Sequence, residues 1–168
     1  MNASVISSAL ARPYYTATLA CMRFSNSGNS AVAFKLAKTS MVKKGKKTKL
    51  ITHQGETAVR YSASTYDLRS LELIALYYAL ESVENGAVLN AIMHKDLVRD
   101  LQNYLAREEQ PADPTEQLLL SKIANTISSK HIKFAPLHIK QHNVQQAHEI
   151  LINITEHADQ QRDENFAL

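Results

Sequence analysis

The chain has 168 residues, of which 45% are apolar and 21% charged, a composition that suits one globular domain with a buried core. Its net charge of +3 hides a split: residues 1–55 carry nine basic residues and no acid, whereas residues 56–168 carry ten basic and sixteen acidic residues. The single cysteine, Cys21, excludes an internal disulfide, and no run reaches the roughly 18–20 apolar residues of a membrane-spanning helix. A chain of this kind is expected in the cytoplasm or another reducing intracellular compartment. The first 24 residues lack an early basic region followed by a clean apolar run, so no secretory signal is expected there.

In chain order, residues 14–24 (YYTATLACMRF) are rich in Thr, Tyr and apolar side chains and predict a strand. Ser25–Ser30 is a turn cluster. Residues 31–38 (AVAFKLAK) alternate, which predicts a second, antiparallel strand. Residues 41–49 (MVKKGKKTK) form a basic segment around Gly45, read as a loop tip or the end of an extended hairpin, within a basic loop of about residues 40–55. Residues 57–63 (TAVRYSA) predict a third strand, so the first three strands make a meander.

The pattern then changes period. Thr65 or Asp67 is placed to cap a helix from Leu68 to about Glu84, closed by Asn85-Gly86. Residues 87–93 (AVLNAIM) read as a short strand and residues 95–107 as a helix. Asp113-Pro114-Thr115-Glu116 combines a capping Asp, a Pro at the first helical position and an early Glu, and starts a helix to about Ser128. Residues 131–140 (HIKFAPLHIK) predict a fifth strand, which Pro136 restricts to a sheet edge. Asn143 and Gln146 form a capping box for a last helix to about Ala158. Residues 159–168 read as a flexible polar tail. The order β-β-β-α-β-α-α-β-α predicts a five-stranded mixed sheet, three antiparallel strands plus two parallel ones, with helices on both faces.

That order resembles the ribonuclease H-like superfamily over residues 14–158. The run Arg69-Ser70-Leu71-Glu72-Leu73-Ile74-Ala75-Leu76-Tyr77-Tyr78-Ala79-Leu80-Glu81 is similar to the family's first helix, where a metal-binding glutamate precedes an Ala/Leu-rich turn. Ile132-Lys133-Phe134, leading to Ile139-Lys140-Gln141-His142, is similar to its last strand and the His-bearing loop beyond. The resemblance implies a site where four carboxylates hold two magnesium ions, which activate water and stabilise the leaving oxygen. Here the pattern departs. Of the four, Glu72 alone matches. The first strand precedes the first acidic residue, Glu56; the fourth strand ends in Met93-His94-Lys95; the last-helix position falls on His148. The loop between His142 and His148 is also shorter than the family's.

The resemblance therefore implies a catalytically inactive member, with no catalytic residue, no cofactor and no metal, and a degenerate site at Glu72, His94 and His148. Two histidines and one carboxylate suit zinc or another transition metal better than magnesium, which leaves a rebuilt metal-dependent nuclease as one reading. The reading placed first is a binding module acting as a protein-interaction or adaptor protein, of the kind family analogy associates with viruses and mobile elements. The rival is a non-catalytic binder of RNA, DNA or hybrid. Its candidate contacts are Lys43, Lys44, Lys46, Lys47, Lys49 and His142. Lysines without interleaved aromatics or arginines indicate charge attraction more than sequence readout.

Overall fold

The computed structural model describes residues 12–23, 29–62, 66–107, 110–111, 113–138 and 149. The chain runs β1 (Tyr14–Arg23), β2 (Ser30–Lys44), β3 (Lys47–Ser62), α1 (Leu68–Ser82), β4 (Val88–Met93), α2 (Lys95–Arg107), α3 (Pro114–Ser129) and β5 (Lys133–His138). One mixed sheet has the order β3-β2-β1-β4-β5. β1, β2 and β3 form the antiparallel meander, while β4 lies parallel to β1 and β5 parallel to β4. Both β3 and β5 are edges, and Pro136 sits on one of them, as its missing N–H requires. The last helix expected over residues 143–158 lies outside the described residues, apart from Glu149, which is helical.

Alternation assigns each strand residue a side. Ala17, Leu19, Val32, Phe34, Leu89, Ala91 and Met93 face the helix layer and join its core. Ala20, Ala31, Ala33 and Tyr61 form a smaller cluster on the opposite face. α1 is the central packing element, because its side chains are apolar nearly all round. Leu71, Leu73, Ile74, Leu76 and Leu80 are fully buried, each contributing about 1.5–3 kcal/mol by removal from water. Asp67 starts α1 by accepting from the Ser70 N–H at 2.7 Å. α1 ends at Ser82, two residues short of the expected Glu84, and Asn85-Gly86 forms a separate turn with Gly86 at φ 77°. The last turn of α1 has no basic residue of its own. Lys130, just beyond α3, supplies the cation: its Nζ donates to the carbonyls of Leu80 and Glu81 at 2.9 and 2.8 Å.

The largest departure from expectation lies in β2 and β3. Residues 41–49, read as a loop tip or the end of an extended hairpin, are the hairpin end, and the rest of the basic loop expected over about 40–55 is strand as well, apart from the turn at Gly45-Lys46. Gly45 has φ 63°, and Lys46 is not among the residues with positive φ. This is the pattern of a two-residue type II′ hairpin turn, which favours strand pairing right up to it. Further back, the register shifts between Lys35 and Ala37. β3 accommodates one extra residue there, and Gly55 lies so close to β2 that an added Cβ would sit 2.8 Å from the Leu36 carbonyl oxygen.

Candidate functional site

Glu72 lies one turn into α1, on the face that packs against β1. Only 8% of it is exposed, so the position is a buried one. A buried carboxylate requires partners, and His94, the first residue after β4, provides two. Its backbone N–H donates to Glu72 Oε1 at 2.9 Å, and its ring Nδ1 lies 2.8 Å from Oε2. An ionised carboxylate only accepts, so with Glu72 charged Nδ1 carries a proton and donates it. The His94 side chain is 70% exposed, against 11% for Glu72. The helix thus holds the carboxylate, the carboxylate orients the imidazole, and the imidazole meets solvent at the carboxyl end of β4.

Cys21 completes this end of the sheet. It pairs with Val32, on the helix-facing side of β1, and its thiol lies 3.8 Å from the Leu68 carbonyl oxygen at the start of α1. Burial, with the Glu72 charge as a second cause, pushes the thiol up to about 12. The β1 side chain that senses the Glu72 charge is therefore a neutral thiol.

Two magnesium ions do not fit this donor set. Magnesium takes hard oxygen ligands, and both Glu72 oxygens are engaged by His94 while Cys21 offers neutral sulfur. Among the described residues no group of three His, Cys, Asp or Glu side chains is arranged to hold a metal ion. Asp96 is exposed in the first turn of α2. His148 and His142 lie outside the described residues, so of the expected trio the structure brings Glu72 and His94 together.

The lysines are elsewhere. α1 runs antiparallel to β1: its start meets Cys21, whereas Glu84, beyond its end, accepts from the Tyr15 hydroxyl at 2.7 Å and Lys38 Nζ at 3.1 Å. Those bonds hold the Glu84 carboxyl below its usual range. Lys43, Lys44, Lys46, Lys47 and Lys49 lie further out, past Tyr14↔Thr39, where β1 pairing stops. Lys44 stands twelve residues along β2 from Val32, which faces Cys21, so about 40 Å of strand separates the basic segment from the Glu72–His94 end.

A third polar cluster joins the helices. Arg69 donates through Nε to Glu116 Oε1 at 2.7 Å and through an Nη to Asp100 Oδ2 at 2.8 Å. Its guanidinium is held more firmly protonated, first by Glu116 and then by Asp100. α1, α2 and α3 each contribute one member. Sequence reasoning missed this triad because its members are far apart in the chain and carry no motif. It missed the partners of Glu72 for a different reason: the pairing register that aims Cys21 and His94 at it is a tertiary property.

This sheet order, with its helix layer and a glutamate in the first helix, is the ribonuclease H-like fold. No protein-family model matches the chain, and no curated protein sequence does. Solved structures do. Ribonuclease H1 from the halophilic archaeon Halobacterium salinarum NRC-1 superposes with a TM-score of 0.54 at 13% identity, over 83% of this chain and 93% of that one. LC9-RNase H1, a type 1 enzyme with the type 2 active-site motif, gives 0.55 at 8% identity, over 93% and 77%. LC11-RNase H1, solved in complex with an RNA/DNA hybrid, gives 0.54 at 16% identity, over 81% and 92%. At these identities the likeness is one of fold.

Proposed function

We propose that this chain is a ribonuclease H-fold protein that binds nucleic acid without cutting it. The observation that carries this reading is the closure of Glu72. Its two oxygens are satisfied inside the protein by one residue, His94, which stands where the fold's enzymes end their fourth strand in an aspartate. A carboxylate held in this way contributes to packing and orientation. Cys21 on the adjacent strand adds no charge.

Nucleic acid is favoured over the protein partner that the sequence alone placed first. The exposed large apolar side chains are Leu50, Leu68, Leu105, Leu118 and Leu137, one each on β3, α1, α2, α3 and β5 among the described residues. One exposed leucine per element is ordinary for a folded surface and does not by itself point to a protein partner. The basic segment, by contrast, is continuous and free of acids, and a relative of the same fold, LC11-RNase H1, has been solved with an RNA/DNA hybrid.

The test is metal linkage. A ligand that binds the folded state raises the melting temperature with concentration. Millimolar magnesium or manganese should leave the melting temperature of this protein unchanged, and Cys21→Asp alone should not create a response. A saturable rise in the native protein that Glu72→Gln removes would overturn the reading.

A further inference from the structure

The pairing register of β2 and β3 sorts the lysines. Beyond Thr39↔Thr52 the ribbon is two-stranded, with Ser40–Lys44 paired to Lys47–Ile51. Lys44 faces Lys47, Val42 faces Lys49, and Ser40 faces Ile51. Alternation puts these six residues on one side of the ribbon, the side that continues through Lys38↔His53 towards the helix layer. The other side carries Lys43, Thr48, Met41 and Leu50. Lys44, Lys47 and Lys49 therefore form one stripe near the tip, with Lys46 in the turn.

Two features show that the stripe is not neutral decoration. Lys44 and Lys47 are directly opposed, and like charges directly across a strand pair destabilise it. No acid is near in sequence to relieve them, since the chain has none before Glu56. Elsewhere the chain does compensate a ribbon lysine: Lys38 is paired with Glu84. The stripe lysines are exposed, and no ion pair is made to them among the described residues.

The side chains also specify the partner. Residues 39–54 contain no Phe, Tyr, Trp or Arg, and their one imidazole, His53, lies at the base of the ribbon. Single-strand binders stack bases on aromatic side chains, and base-edge readout favours arginine. Lysines alone grip phosphates by charge. Resting on the non-catalytic reading above, we infer that the projecting β2–β3 ribbon is a docking arm for the sugar–phosphate backbone of a nucleic-acid duplex. Lys44, Lys47 and Lys49 make the contacts, about 40 Å of strand away from the Glu72–His94 end. The duplex supplies anions that the described residues do not bring to the stripe, and binding relieves the opposition of Lys44 and Lys47.

The experiment compares three forms of the full chain by fluorescence anisotropy with labelled DNA duplex and RNA/DNA hybrid across a salt series. These are the native protein, Lys44→Gln/Lys47→Gln/Lys49→Gln, and an equal-charge control, Lys95→Gln/Lys122→Gln/Lys133→Gln. Each phosphate contact contributes about 0.9 to the slope of log affinity against log salt. The stripe variant should flatten the slope by about 2–3 and bind at least tenfold more weakly at about 0.1 M salt, with the control close to native. Its melting temperature should equal or exceed that of the native protein, because a repulsion has been removed. Equal losses in stripe and control variants, or none in either, would overturn the arm while leaving nucleic-acid binding in place. Absence of salt-dependent duplex binding by the native protein would overturn both the arm and the function. Tighter binding of poly-glutamate than of either duplex would also overturn the arm, and would point to an acidic protein.

Discussion

Glu72 and His94 are joined by two hydrogen bonds, and the cost of separating them is measurable. Glu72→Ala leaves the His94 N–H and ring without their acceptor and should lower stability by about 1.5–3 kcal/mol, read from urea denaturation. His94→Ala retains the backbone donor and should cost less. Equal costs would mean that the ring, not the backbone, is the principal partner. Cys21 gives a second test at this scale. Its folded-state thiol is raised to about 12 from an ordinary value of 9.0. The neutral form is thus favoured by folding, so this contribution to stability is complete below pH 9 and is lost as pH climbs towards 12. Alkylation by iodoacetamide at pH 8 should be slower in the folded protein than in urea; equal rates would contradict the partly buried, neutral thiol. The position of Glu72 on an apolar helical face was legible from its spacing to Ala75, Leu76, Ala79 and Val83. Its depth was not, because burial depends on where β1 and β4 meet α1.

The elements that were read closely are those whose signals are local. The boundaries of β4, α2 and α3 match to within a residue, since capping chemistry at Asp113 and the change of period around Lys95 act over one or two turns. β2 and β3 were read too short, at 31–38 and 57–63, because the lysine run erases the alternation of apolar and polar side chains. Backbone pairing does not require that alternation: the Gly45-Lys46 turn sets the register at the tip, and Gly55 absorbs the extra residue. Gly55→Ala should therefore cost about 1–3 kcal/mol through the clash with the Leu36 carbonyl; an unchanged melting temperature would mean the bulge adapts freely. The three helices are tied by Arg69. Arg69→Met removes the partner of Glu116, which is only 11% exposed in its side chain, while the guanidinium is 42% exposed. The loss should be about 1–3 kcal/mol, below that for a fully buried pair because water screens the arginine.

Across the whole molecule, charge is distributed along one direction of the sheet. The closed Glu72–His94 pair sits at the carboxyl end of β4, and the lysines, which make no ion pair among the described residues, project past the amino end of β1. The acid-free first 55 residues made the charge split legible in the sequence, but not its geometry. Register converts a run of lysines into a stripe and moves it away from Glu72 and His94. The proposed binder would touch its duplex through the arm and leave the phosphodiester intact. The most direct measurement follows both events in one sample: an RNA/DNA hybrid labelled on the RNA strand is incubated with the protein in magnesium or manganese, binding is read by anisotropy, and the strand is then resolved on a denaturing gel. The expected result is salt-dependent binding with full-length RNA recovered. Shortened RNA above background, produced by the native protein and abolished by Glu72→Gln, would contradict it.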